Sequence, residues 1–178
     1  MEQNELLADP YKLGSSYQIP RIGNEHIASL DLPPTGIREF SGKLKTGEAV
    51  RFIPINKDHT KTDKRLSIYK NLSGTASIQK LFGVYSTDQS MYAVMEELES
   101  DGSPFLRLDK ALTSSVSKLS RTRKILLCQE IASVVWYLHS LNYVVKIISD
   151  KCIFVRERND TLVPVFTNLE FARSVYAY

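Results

Sequence analysis

The sequence predicts an α+β fold in two parts: five short strands interrupted by one helix, then a mainly helical segment that closes on a hairpin. Three observations predict it. Strand-type runs cut by turn residues crowd positions 27–96. A single run of helical period, 61–72, falls between the third and fourth of them, and a longer one, 120–141, dominates the second half of the chain.

The first thirty residues carry Pro10, Gly14, Ser15, Ser16, Pro20 and Gly23, breakers at short intervals that predict a flexible tail over 1–30. Strands are expected at Ile27 to Leu32, Gly36 to Leu44 and Ala49 to Ile55, the last two joined by the tight turn Lys45-Thr46-Gly47-Glu48. Leu66, Ile68, Tyr69 and Leu72 give the helix of 61–72 one packed face, and Ser73-Gly74 stops it. Ile78 to Tyr85 and Met91 to Glu96 supply two more strands around Ser86-Thr87-Asp88-Gln89.

After Glu96 an acidic, glycine-bearing linker leads to a short helix, Leu106 to Leu112. The longest helix comes next. Counted from Leu127, the residues Ile131, Val134, Val135 and Leu138 stand at offsets of four, seven, eight and eleven, one face of a 3.6-residue period. Ser120 is its expected cap, although the cations after it oppose the helix dipole. Cys152 to Val155 and Leu162 to Phe166 form the closing hairpin, with Pro164 predicting an exposed edge.

Composition narrows the function classes. With 43% hydrophobic and 24% charged residues the chain has enough apolar material for a core. Its net charge of +3, from 23 cations against 20 acids, is too small and too evenly spread to indicate nucleic acid. Cys128 and Cys152 have no ligand spacing, and His26, His59 and His139 are scattered, which argues against zinc and a disulfide framework and for an intracellular, cytoplasmic-type compartment. No stretch is apolar and long enough to predict a membrane span or a signal segment.

Several runs occur together in one order. Ala76-Ser77-Ile78-Gln79-Lys80-Leu81-Phe82-Gly83-Val84-Tyr85, Met91-Tyr92-Ala93-Val94-Met95-Glu96-Glu97-Leu98 and Trp136-Tyr137-Leu138-His139-Ser140-Leu141-Asn142 resemble the fourth strand, the fifth strand with its hinge, and the end of the long helix of the eukaryotic protein-kinase superfamily. The resemblance covers about residues 31–174. It implies a protein-kinase-like fold: a five-stranded antiparallel N-lobe sheet with one helix and the hinge over 31–98, then a partial, mainly helical C-lobe over 99–178. It also implies that the chain ends, at Tyr178, just after the metal-binding triplet and before the activation segment.

Kinase chemistry needs a lysine on the phosphates, a glutamate holding it, a base aspartate, and an asparagine and an aspartate on magnesium. The resemblance puts Arg51 at the lysine position, Arg65 at the glutamate, Ile147 at the base, Cys152 at the asparagine and Asn168 at the aspartate. Ile147 accepts no proton, and a thiol is a poor ligand for a hard cation. Leu32-Pro33-Pro34-Thr35-Gly36-Ile37-Arg38 keeps one glycine of the phosphate loop. A remnant nucleotide pocket is implied at Ala49, Arg51, Met95, Glu96 and Leu98. No catalytic or metal-binding residue and no cofactor is expected, with weak metal-independent ATP binding left open.

These substitutions predict a catalytically inactive pseudokinase acting as a protein-interaction module. Its expected contact surface is the helix bearing Leu127, Ile131, Val134, Val135 and Leu138, used for self-association or a protein partner, with neither nucleic acid nor membrane involved. One alternative is a divergent kinase or other ATP-dependent transferase using Asp150 or Glu170 in the same cleft. The other is a degenerate, truncated duplicate without function.

Overall fold

The computed structural model describes residues 19–31, 38–55, 66–72, 74–99, 102–114, 118–158 and 161–174, the side chains of Glu170 and Ser174 excepted. Its largest element is a sheet built from β1 (Arg21–Ile22), β2 (Ile27–Leu30), β3 (Phe40–Leu44), β4 (Ala49–Ile55), β5 (Leu81–Ser86) and β6 (Met91–Glu96). The spatial order is β1-β5-β6-β4-β3-β2. The turn between β3 and β4 forms where the sequence predicts it: Gly47 takes φ +104°, a conformation favouring glycine, and its N–H donates to the Leu44 carbonyl at 2.9 Å.

The expected five-stranded antiparallel sheet with one helix is corrected here. The sheet has six strands and is mixed, because β1 lies parallel to β5. The expected tail of 1–30 therefore yields its last ten residues to β1, a 3-10 turn at Asn24–His26 and β2. What overrides the breakers is a close approach. The Val84 N–H donates to the Pro20 carbonyl at 2.8 Å, and a methyl group at Gly83 would strike that same oxygen.

The second part is corrected too: expected to be mainly helical, it carries five strands beside its helices among the described residues. β7 (Phe105–Arg107), β9 (Ile153–Arg158) and β10 (Thr161–Phe166) make a three-stranded sheet in the order β10-β9-β7. β8 (Tyr143–Val144) and β11 (Arg173–Ser174) form a two-stranded ribbon. Three helices accompany them among the described residues: α1 over 66–71, α2 (Leu108–Thr113) and α3 (Arg121–Ser140). The start of the expected 106–112 helix is strand because Leu106 pairs with Val155, so tertiary pairing overrules local propensity. Together these sheets make the described chain strand-rich, and the protein-kinase-like fold class does not stand.

Strand alternation divides the core between two faces of the large sheet. Tyr92 and Val94 join Phe40, Leu44, Val50, Phe52 and Tyr85 on one side. Phe40 and Phe52 are register partners whose rings stack at 4.6 Å. On the other side Ala93 and Met95 join Leu66, Ile68, Tyr69 and Leu72 around α1, Leu127, Val134 and Leu138 of α3, and Phe166 and Leu169. Leu98, Phe154 and Val165 form a smaller cluster.

α3 is capped as predicted, with the Ser120 hydroxyl accepting from the Arg123 N–H at 3.3 Å. Its predicted stripe is buried within the chain. Leu127, Val134 and Leu138 are buried, Ile131 and Val135 pack against the same core, and the helix lies on β10 and β8. The hairpin supplies the cover. Pro164 is on an edge strand but is buried and not exposed; α3 packs on that strand, and a parallel bridge from Ile78 to Phe166 stands at its end.

Candidate functional site

On β4 the residues Val50 and Phe52 point into the aromatic core, so Arg51 emerges on the opposite face, opposite Met95 in register. Its guanidinium forks onto one carboxylate. Nε donates to Glu97 Oε2 at 3.1 Å and Nη2 lies 3.0 Å from Glu97 Oε1. The Glu97 side chain is only 2% exposed, and it also accepts the Ser41 hydroxyl at 2.7 Å and the Glu99 N–H at 2.9 Å. Burial opposes ionisation of Glu97, but these donors outweigh it and hold its carboxyl below the usual range.

The charges continue beyond this pair. Glu99 stands 3.7 Å from Arg51 Nη1 and 3.4 Å from Arg107 Nη1. Arg107 in turn forks onto Asp109, at 2.8 and 3.0 Å, which lowers the Asp109 pKa and raises its own. The Asp109 N–H donates to the Asp150 carbonyl at 3.2 Å. Alternating cations and carboxylates thus run from the six-stranded sheet to α2. Its two cations stand against three carboxylates, so the array keeps an excess negative charge.

The implied nucleotide pocket divides. Ala49, Arg51, Met95 and Glu96 lie along neighbouring strands, Ala49 exposed and Met95 buried. Leu98 instead packs into the separate cluster with Phe154 and Val165. The hinge main chain is occupied from within: Glu96 donates to the Lys80 carbonyl at 2.8 Å and accepts Gln79 Nε2 at 2.9 Å. Glu97 donates to the Ala49 carbonyl at 3.1 Å, and the Leu98 carbonyl accepts the Ser103 hydroxyl at 3.0 Å.

The two positions assigned to magnesium come together. Cys152 is buried, and its Sγ accepts from Asn168 Nδ2 at 3.2 Å and from the Ser149 hydroxyl at 3.3 Å. Asn168 adopts φ +59°, a left-handed conformation that asparagine tolerates better than most side chains. Ile147 is solvent-exposed and Asp150 lies exposed three residues on. Arg65 and the single-glycine loop at 32–37 lie outside the described residues, as does the Glu170 side chain.

Two contacts are not readable from the chain. Glu97 is Arg51's partner, although the resemblance directs attention to position 65. Tyr69 on α1 accepts the Leu169 N–H at 2.8 Å, both residues being buried. An acidic residue next to a predicted hinge is the available signal for the first; nothing local signals the second. No protein-family model matches the chain, and no curated protein matches its sequence significantly.

Proposed function

We propose that this chain is a catalytically inactive relative of the protein kinases, a pseudokinase-type module that works through contacts with protein. The kinship rests on the ordered residue runs and the altered catalytic positions. It does not rest on the sheet, which departs from the expected one. The observation that carries the non-catalytic reading is the fork between Arg51 and Glu97. The fork spends a planar guanidinium on a carboxylate beside the hinge, where the family pattern has a compact lysine held by a glutamate of the helix.

The contact from Asn168 to Cys152 supports the same reading: the two side chains assigned to a metal engage each other, and one offers sulfur. Ile147 supplies no base. Both thiols are unpaired, which supports an intracellular, reducing location. Among the described residues no helix is long and apolar enough to cross a membrane.

The test is titration calorimetry with ATP, with and without magnesium or manganese, beside a phosphoryl-transfer assay on the chain and a generic substrate. No magnesium-dependent binding and no transfer are expected. Micromolar magnesium-dependent affinity, or turnover, overturns the reading.

A further inference from the structure

The large exposed apolar side chains fall in the second part of the chain: among the described residues they are Leu112, Ile125, Leu126, Trp136, Tyr137, Val144, Ile147, Ile148 and Phe171. Four of them belong to α3. That helix buries one face on β10 and β8, yet its opposite face is also poor in charge, with Glu130 the sole acid or base between Ile125 and Tyr137. A helix apolar on two sides is covered on two sides in a stable assembly.

We infer that a second copy of this chain covers the outer face of α3, the two helices crossing antiparallel about a two-fold axis near residues 130–131. The pattern of the face carries the inference. At about 100° per residue, Ile125, Gln129, Ala132 and Trp136 share one side of the helix, and all four are exposed. Ile125 and Trp136 lie equally far from the midpoint of Arg121–Ser140, as do Gln129 and Ala132. Turned on itself, the face places Ile125 against Trp136 of the second copy, twice, and brings the short Ala132 to the crossing where two backbones must approach. A two-fold contact requires this kind of self-complementarity.

Charge and hydrogen bonding agree with that occupant. The first turn of α3 carries Arg121 and Arg123 and no acid, at the end where the helix dipole is already positive. An antiparallel copy brings its negative carboxyl end to this turn. Two hydroxyls beside the face are satisfied within the helix: Ser133 and Ser140 donate to the carbonyls of Gln129 and Tyr137. The 20-residue helix is about 30 Å long, so its face covers about 300 Å² and falls below a standard interface of about 800 Å² per partner. The dimer is therefore weak and dependent on concentration.

This inference rests on the protein-contact part of the proposed function and not on the nucleotide question. The experiment is sedimentation velocity on the whole chain from about 1 to 300 µM, with circular dichroism to verify folding. The parent is expected to pass from monomer to dimer across that range. An Ile125→Lys, Trp136→Lys variant is expected to weaken the dimer at least about tenfold. An Ile125→Lys, Trp136→Glu variant keeps it, because antiparallel crossing sets each lysine against a glutamate. Should the double-lysine chain not fold, Ala132→Glu at the crossing makes the same test. A folded parent that stays monomeric overturns the inference. So does a dimer that persists in the double-lysine variant, or is lost equally in both double variants. A monomer that also binds no magnesium-ATP overturns the dimer and leaves the non-catalytic reading standing.

Discussion

The hydroxyl of Tyr69 accepts the main-chain N–H of Leu169 at 2.8 Å, joining residues a hundred positions apart in a site closed to solvent. Phenylalanine keeps the ring and removes the acceptor. A buried N–H without a partner costs about 1 to 3 kcal/mol, so Tyr69→Phe is expected to lower the unfolding free energy by that amount in urea titration. A loss below about 0.5 kcal/mol, inside the range of ordinary surface changes, speaks against the bond.

Glu97→Gln keeps the shape of the carboxylate and removes its charge from Arg51. A hydrogen bond to a charged group contributes about 1.5 to 3 kcal/mol, and a loss of that order is expected at neutral pH. The folded pKa of Glu97 lies below the unfolded one. Its contribution is therefore complete above the unfolded carboxyl value, about 4.3, and fades as pH falls towards the folded value. Stability curves of parent and variant should converge in acid. Parallel curves from neutral pH down count against the assignment.

Leu138 is fully buried where α3 meets the core. Truncation to alanine should cost about 2 to 5 kcal/mol, and Val134→Lys with Leu138→Lys should leave no cooperative thermal transition. A well-folded double-lysine chain would mean that this stripe is open to solvent after all.

Gly83→Ala sets a methyl group against the Pro20 carbonyl and close to Ile22. Overpacking of this kind costs about 1 to 3 kcal/mol. The strain falls on β1, so the Val84 amide, which donates to Pro20, should exchange its hydrogen faster than the β4 amides do. Unchanged protection at Val84 contradicts this.

Ile147→Asp restores a carboxylate at the implied base position, yet no phosphoryl transfer is expected from it. Arg51 remains matched to Glu97 and Asn168 remains bonded to Cys152; groups that act as a unit are not recovered one at a time. Turnover clearly above the parent in a radiolabelled assay is the contrary result.

The strands and helices that the sequence reveals are those with a period long enough to read. β4 alternates over its first five residues, the β3–β4 turn has Gly47 where φ must be positive, and α3 repeats its apolar stripe over three turns. β1, β8 and β11 are two residues each, too short for any period, and exist because a distant segment pairs with them. Without β1, a mixed sheet reads as an antiparallel one. Likewise the stripe of Leu127 to Leu138 is visible, but its cover, the β9–β10 hairpin, is a tertiary fact. At the candidate site, the resemblance groups Cys152 with Asn168 by role and the fold brings the two side chains into contact. The choice of Glu97 by Arg51 depends instead on a register between β4 and β6 that no local run specifies.

The parallel bridge between Ile78 and Phe166 bears on how the chain is made. Translation proceeds at about 5 to 20 residues per second, so Ile78 leaves the ribosome several seconds before the strand that caps it. Until α3 emerges the face bearing Ala93 and Met95 has only α1 to shield it, and the hairpin comes later still. Pairings across such separations form late. The nascent polypeptide thus passes through a stage in which half its core is assembled and wet, and chaperone occupancy should peak before the β9–β10 hairpin emerges.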